Sequence, residues 1–395
     1  MDNFKKLHIL VIPSWYPRYE GDIGGSFFRE QAVALKDYGH DVGIIFPQIN
    51  SVFSFRNKES NAGISKENDN NVNVYRNKFI NFTPRLNRLI TKLWLYRGMQ
   101  LFKRYVSEHG EPDILHAHSL INGGLLAHTI NKKYKIPYVL TEHSSFFARG
   151  SVKPQTVEKL DKVVNNAKAC IAVSQKFRSL LNETFNSKKW IYIPNIVSNN
   201  FLANELPTLK SDGHYKYINV CFLNKNKRVD ILIKAFAKVH FELKNIKLYI
   251  GGNGPEYNNL VDLALKLGVS EQVIFLGKLS RNEVLKHVSS SNAFVLSSEY
   301  ETFGVVLVEA LALGKPVVAT KCGGPESIIN ADVGYLVDKN SVDSLAEGMS
   351  QLYKNQSSFK AKKIKDYCKS SFSEAVVIES LNKIYSVALD YNEEK

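Results

Sequence analysis

The chain has 395 residues, 44% of them hydrophobic and 23% charged, and 52 Lys and Arg against 38 Asp and Glu give a formal charge of +14. That length exceeds one ordinary hydrophobic core and fits two domains, and the composition excludes disordered and fibrous classes. No apolar run approaches the roughly 20 residues that cross a bilayer, and the first residues lack the apolar region of a signal peptide, so a cytoplasmic chain is expected. Cys170, Cys221, Cys322 and Cys368 are far apart and form no Cys-x-x-Cys pair, which predicts free thiols and neither a disulfide framework nor a zinc site. The charge is uneven. Residues 1–210 hold 29 Lys and Arg against 17 Asp and Glu, a balance of +12, and the remainder adds only +2. The first half therefore suits an anionic partner, either nucleic acid or an acidic membrane leaflet.

In chain order, Leu7–Pro13 reads as a buried strand, Gly24–Leu35 as a glycine turn with an amphipathic helix, and Asp41–Phe46 as the next strand. The stretch Asn70–Ser107 has eight basic residues and no acidic one. Within it Leu86, Leu89, Ile90, Leu93, Trp94, Phe102 and Tyr105 form an apolar stripe interrupted by Arg88, Lys92, Arg97 and Lys103. It reads as a packed helix with a solvated basic face, or as a membrane-surface element in which Trp94 and Phe102 enter the interface. Strands follow at Ile114–His116, Tyr138–Thr141 and Ala169–Val173, and the polar stretch Ser198–Tyr215 reads as a linker.

A second strand–helix series then begins, with strands expected at Asn219–Leu223, Lys247–Gly251, Val273–Leu276, Ala293–Ser297 and Pro316–Thr320. Its helices are expected at Val229–His240, Glu256–Leu267, Phe303–Leu313 and Val342–Tyr353. The helix Ala375–Leu389 ends the chain. The fold class is thus α/β, with two Rossmann-like doubly wound domains facing across a cleft where the carboxyl ends of both sheets meet. The expected division is 1–205, 206–371, and a C-terminal helix, 372–395, packing back on the first domain.

The most informative stretch runs from Ser297 to Thr320. A buried strand ends, a turn follows, and a helix is expected from Thr302 or Phe303. The first amides of a helix have no intrahelical partners and carry positive potential, and Gly304 lets a phosphate approach them. Glu301 and Glu309, eight positions apart on one helix, would lie about 80° out of phase and about 12 Å apart along the axis. That spacing suits two ends of an elongated ligand better than a paired general acid and base. The plainer alternative makes Glu301 a cap and Glu309 a solvated helix residue.

Glu301, seven residues, then Glu309, with Phe303, Gly304 and Val305 between, resembles the signature of retaining glycosyltransferases of family four, which have the GT-B fold. Lys227 ahead of Val229–Phe236, the glycine-rich turn Gly251–Gly254, Gly277, Gly323–Glu326, Gly24-Gly25, His116 and His118, Thr141–His143 and Pro194-Asn195 follow the family's order. The resemblance implies transfer of a sugar from a nucleotide-diphosphate sugar, as co-substrate, to a glycan or lipid-linked acceptor in cell-surface polysaccharide synthesis. Glu309 would bind the ribose hydroxyls, Glu301 the transferred sugar, and Lys227 with the amides of Phe303, Gly304 and Val305 the diphosphate. Gly24 and Gly25 would approach donor and acceptor, Gly252 and Gly254 would belong to the donor site, and His143 would sit near the anomeric carbon. His116 and His118 are weaker candidates, since a histidine at a strand end is more often a structural hydrogen-bonder.

No cofactor or metal is expected, because the chain contains no Asp-x-Asp. Two departures stand out. The family's Arg before the Lys is missing, Phe222 occupying its region, so Lys225 is expected to supply the second positive charge. Arg228 stands where the family prefers glycine. The second departure, Ile196 to Ser198 after Asn195, affects little. A sugar-nucleotide epimerase of the same architecture is the alternative reading. A nicotinamide oxidoreductase would need Gly-x-Gly-x-x-Gly at the first helix, and a nucleic-acid module some recognisable binding motif; neither is present.

Overall fold

A computed structural model of the chain describes residues 5–19, 22, 24–51, 63–81, 87–150, 152–206 and 213–390. Leu86 of the expected stripe and Pro207 and Asp212 of the expected linker lie outside these residues. The chain divides into two compact units, one of Met1–Val173, Arg178–Ile193 and Val377–Lys395, the other of Ser174–Phe177 and Pro194–Val376.

The first unit carries strands β1 (His8–Pro13), β2 (Asp41–Ser51), β3 (Gly63–Asp69), β4 (Val72–Asn81), β5 (Ile114–His118), β6 (Tyr138–Glu142), β7 (Ala169–Ala172) and β8 (Trp190–Tyr192). They form one sheet in the order β3-β4-β2-β1-β5-β6-β7-β8. All neighbours are parallel except β3, which pairs antiparallel with β4. β5 and β6 are buried at every residue, the pattern of strands covered on both faces. The β3–β4 hairpin was not expected from the sequence. Asn70 (φ 50°) and Asn71 (φ 65°) both take positive φ, as a tight hairpin turn with the twist of its strands requires.

The second unit carries β9 (Tyr215–Val220), β10 (Ile246–Gly251), β11 (Val273–Gly277), β12 (Ala293–Leu296), β13 (Val317–Thr320) and β14 (Gly334–Val337). Their order is β11-β10-β9-β12-β13-β14, all parallel. The helix Val229–Glu242 buries Val229, Leu232, Ile233, Phe236 and Val239 in the apolar core that also takes in β9, β10 and β12. Apart from the β3–β4 hairpin at the edge of the first sheet, the strand order of each sheet reverses once, between β1 and β5 and between β9 and β12. Loops leaving such a switch point splay apart, and the crevice between them is where doubly wound sheets take ligands.

The structure bears on three expectations. The polar stretch from Ser198 is not a free linker at its start: Ser198 caps a short helix, Asn199–Leu202, and Phe201 is buried. Pro194–Leu206 accordingly goes with the second unit, ahead of the expected break at 205. At the other end, the helix Glu374–Ala388 joins the first unit from Val377. There Asn382 pairs with His40 Nε2 at 2.8 Å and Tyr385 with His116 Nδ1 at 2.6 Å. Third, the basic segment forms the helix Asn87–His109, but its apolar stripe splits between two faces. Trp94 and Phe102, each 1% exposed, point into the core, while Leu89, Leu93 and Tyr96 are 53%, 37% and 60% exposed.

Candidate active site

At the switch point of the second sheet, the loop after β9 meets the loop after β12. Ser297 Oγ donates to the Lys227 carbonyl at 2.8 Å, Glu299 N to the Asn226 carbonyl at 2.8 Å, and Asn226 Nδ2 to the Tyr300 carbonyl at 3.0 Å. These ties bring Lys227 Nζ to 2.6 Å from Glu301 Oε1, which also accepts from Ser298 Oγ at 2.7 Å. Burial alone would lower the Lys227 pKa, but the Glu301 carboxylate outweighs it and the net shift is upward, so Lys227 stays charged. Arg228 adopts φ 46°, ψ 39°, a left-handed conformation that accounts for glycine being favoured at this place.

Glu301 is not on the helix. Its amide donates to the Cys322 carbonyl at 3.0 Å, and its carbonyl accepts from Gly324 N at 2.8 Å, in a strand-like bridge to Gly323. Gly304 (φ 104°) then turns the chain left-handed, and the helix runs only from Val305 to Ala312. The eight-position helical phase expected between Glu301 and Glu309 therefore does not apply, and Glu301 is not a cap. The first helical bond runs from Leu307 N to the Gly304 carbonyl at 2.9 Å, so the amides of Val305 and Val306 have no acceptor within the helix. Phe303 contributes backbone only, because its ring is buried against Phe372 with centroids 5.9 Å apart.

Glu309 is 2% exposed, which removes the alternative of a solvated helix residue. Burial raises its pKa, and the guanidinium of Arg281, ion-paired with Oε1, opposes that rise. Gly252 and Gly254 are required by close packing. A Cβ at Gly252 would fall 1.8 Å from the Cys221 carbonyl oxygen, and one at Gly254 2.3 Å from that of Leu223. Their missing side chains let the two loops pack backbone to backbone, which supports the segment bearing Lys225 and Lys227. Lys225 is exposed.

A second cluster stands at the switch point of the first sheet. Gly25 (φ 81°) starts the helix Ser26–Asp37, where a Cβ would press to 3.0 Å on the Trp15 carbonyl oxygen. Gly24 N donates to Asp22 Oδ1 at 2.9 Å. The next turn sets Phe27 and Phe28 against His143, with ring centroids 5.0 and 4.8 Å apart. His143 Nε2 lies 3.0 Å from His118 Nδ1, and His118 stacks on His116 at 4.3 Å. His116 has both nitrogens engaged, one by Tyr385 Oη and the other by Thr141 Oγ1 at 2.8 Å, so it is a structural hydrogen-bonder. Burial pushes the His116 pKa down to about 3 and that of His118 well below its ordinary value, so both rings are neutral.

Glu142 fastens this cluster. Fully buried, it accepts from Leu120 N at 2.6 Å, His143 N at 2.9 Å and Ser144 N at 2.7 Å, and burial pushes its carboxyl up to about 6. It holds a strained loop in which Ser119 (φ 67°, ψ 138°) and Asn122 (φ 70°, ψ −77°) occupy regions unfavourable to side chains. In one unit His143 is thus set beside the helix that Gly25 begins, and in the other Lys227 meets Glu301 on the loop that leads through Gly304 to the helix bearing Glu309. Sequence reasoning missed Arg281, Ser298 and the His118–His143 pair. Glu142 was visible inside the Thr141–His143 motif, but nothing in its spacing marked it as a hub.

Residues 24–200 match the family described as Glycosyltransferase Family 4, and residues 205–370 that described as Glycosyl transferases group 1. An uncharacterized glycosyltransferase of Methanocaldococcus jannaschii is 30% identical over 72% of this chain and 77% of its own length. The chain belongs to glycosyltransferase family 4. Sucrose-phosphate synthase from Thermosynechococcus elongatus superposes with a TM-score of 0.78 at 18% identity, over 98% of this chain and 100% of that one. HepE of Anabaena, solved in complex with UDP, gives 0.73 at 17% identity over 96% and 100%. These likenesses establish the fold of the glycosyltransferase as GT-B, with two parallel-sheet α/β domains. Among the described residues of this glycosyltransferase, no helix is long and apolar enough to cross a membrane.

Proposed function

We propose that this glycosyltransferase moves a sugar from a nucleoside-diphosphate sugar to a glycan or lipid-linked acceptor, with retention at the anomeric carbon and without a metal. The observation that carries the reading is the Lys227–Glu301 pair at 2.6 Å, on the loop that leads into the open amides of Val305 and Val306. Breaking the bond between sugar and diphosphate builds negative charge on the leaving group. A lysine held charged and a helix N-terminus, both fixed before the reaction, stabilise that charge without reorganising. On donor binding the diphosphate takes Lys227, and Glu301 turns to the sugar hydroxyls. Glu309 accepts from the ribose, and His143 stands by the anomeric carbon, as the family resemblance implies.

The UDP held by the Anabaena structure supports a nucleotide donor. The sequence supports the metal-free reading, since the chain has no Asp-x-Asp. The positive first half supports work at the inner, cytoplasmic face of an anionic membrane, and a place in cell-surface polysaccharide synthesis follows from the family resemblance.

The test is transfer from uridine, guanosine and adenosine diphosphate sugars to oligosaccharide and polyprenyl-linked acceptors, with and without a strong chelator. The anomeric coupling of the product is read by NMR. Retained configuration and unchanged rates under chelation are expected. An inverted product, activity restored only by magnesium or manganese, or an epimerised donor formed without acceptor would each overturn its part of the reading.

A further inference from the structure

Arg281 has no counterpart in the sequence-level site, yet it reaches the most deeply buried carboxylate of the second unit. It opens the helix Arg281–Ser289, whose start is fixed by a capping box: Ser280 Oγ accepts from Glu283 N, and the Glu283 carboxylate accepts from Ser280 N. From there Arg281 Nη1 donates to Glu309 Oε1. The guanidinium lies over the ring of Phe201, 4.9 Å from its centroid. Phe201 is itself fixed, being 1% exposed on the helix Asn199–Leu202. Ser198 caps that helix, and Glu374 accepts from both Asn199 N and Nδ2.

We infer that Arg281, seated on Phe201, is a positioning residue for Glu309, directing the carboxylate so that its second oxygen, Oε2, accepts from the ribose hydroxyls of a nucleoside diphosphate. This rests on the reading of Glu309 as the ribose contact. The geometry favours such a role over a plain structural pair. A planar guanidinium stacked on an aromatic ring has its donor directions set, and a carboxylate bonded through one oxygen has its other oxygen set in turn. Arg281 also counters the burial that would protonate Glu309. The other elements packed on the helix Val305–Ala312 bring no charge to Glu309. Ala361–Phe372 presents the neutral Cys368 thiol, bonded to the Val308 carbonyl at 3.2 Å, Asn199–Leu202 presents Phe201, and β12 and β13 present uncharged side chains.

Calorimetry on the full chain against UDP, GDP and ADP first identifies the nucleotide bound most tightly. That nucleotide and its 2′,3′-dideoxy form are then titrated into wild type, Arg281→Met, Arg281→Lys, Phe201→Leu, Glu309→Gln and the double variant Arg281→Met/Glu309→Gln. Arg281→Met should weaken the ribonucleotide about tenfold or more and change the dideoxy form by less than about twofold. Arg281→Lys should fall between, Phe201→Leu should lose about threefold on the ribonucleotide only, and Arg281→Met should add little once Glu309 is Gln. Between pH 8 and pH 6 the wild type should hold its affinity while Arg281→Met loses more. Equal losses on both nucleotides, or full ribonucleotide affinity in Arg281→Met and Arg281→Lys, would overturn the positioning role and leave the donor reading standing. Failure of the wild type to bind any of the three would sink the donor reading and the positioning role with it.

Discussion

Lys227 is charged because Glu301 faces it. In the proposed reading the donor's diphosphate takes the place of Glu301 and keeps Lys227 charged, with no proton moved. Phe222, where the family has its arginine region, is 58% exposed and offers no charge. Arg228 is occupied by Asp230, at 3.1 Å, and by Asn340. Lys225 is then the second cation of this loop. A charge-assisted contact to phosphate contributes about 1.5–3 kcal/mol, so Lys227→Ala should slow transfer more than tenfold. Lys225→Ala should lower the rate further in that background, measured as kcat/KM for the donor. No effect of Lys225→Ala in either background would remove Lys225 from the site. His116 gives a stability prediction. Its pKa is about 3 in the fold and 6.5 when unfolded, so the unfolded chain binds the extra proton between those values. The stability that neutral His116 provides is complete above pH 6.5 and is lost as pH falls toward 3, at about 1.4 kcal/mol per pH unit. His116 should therefore contribute a loss of about 2 kcal/mol between pH 7 and pH 5, with His118, also lowered, adding to it and Glu142, raised to about 6, opposing it. His116→Gln should make the fall of the denaturant midpoint over that range shallower by the His116 share, and an unchanged slope would show that His116 does not contribute to it.

The elements that carry the site were legible where one local rule decided them. Buried strands announced themselves as apolar runs, and the helix Val305–Ala312 as a glycine turn before an apolar segment. The start of that helix was misplaced because the sequence does not reveal that Gly304 sits at φ 104°, which leaves Glu301 in a bridge to Gly323. β3 escaped notice because nearly all its residues are exposed, so it has no apolar alternation to read. Arg281 and Glu309 meet across 28 positions with no periodic signal, and the His118–His143 pair likewise depends on two adjacent strand ends. The basic helix Asn87–His109 was legible as a helix, but which apolar side chains face outward depended on packing. Trp94 and Phe102 serve the core, and Leu89, Leu93 and Tyr96, with the exposed Arg88 and Lys92, make the outer face. If the enzyme works on an anionic leaflet, this face is the one that touches it. Each Lys or Arg near such a surface contributes about 1 kcal/mol, screened by salt. Vesicle binding should rise with anionic lipid, fall with salt, and weaken about fivefold or more in Arg88→Gln/Lys92→Gln and in Leu89→Ser/Leu93→Ser. Equal binding to neutral and anionic vesicles would contradict it.

At the scale of the molecule, each unit is a doubly wound sheet with one cluster at its own switch point, and the two clusters differ in chemistry. The second unit offers Lys227, open helix amides and two anchored carboxylates, which suits an anionic diphosphate with polar groups at either side. The first offers neutral histidines, aromatic rings and a strained loop fixed by Glu142, which suits an uncharged sugar. This division follows from where the strand order reverses in each sheet, and the motifs read from the sequence lie on the loops at those points. The central claim is that the second unit binds a nucleoside diphosphate through Glu309 and commits the sugar through Glu301. The most direct test is calorimetric titration of UDP, GDP and ADP into wild type, Glu309→Ala and Glu301→Ala, with transfer rates measured on the same preparations. One diphosphate should bind the wild type. Glu309→Ala should weaken it by about tenfold or more, and Glu301→Ala should leave affinity within about threefold while cutting turnover by about a hundredfold. Unchanged affinity and unchanged turnover in both variants would contradict the account.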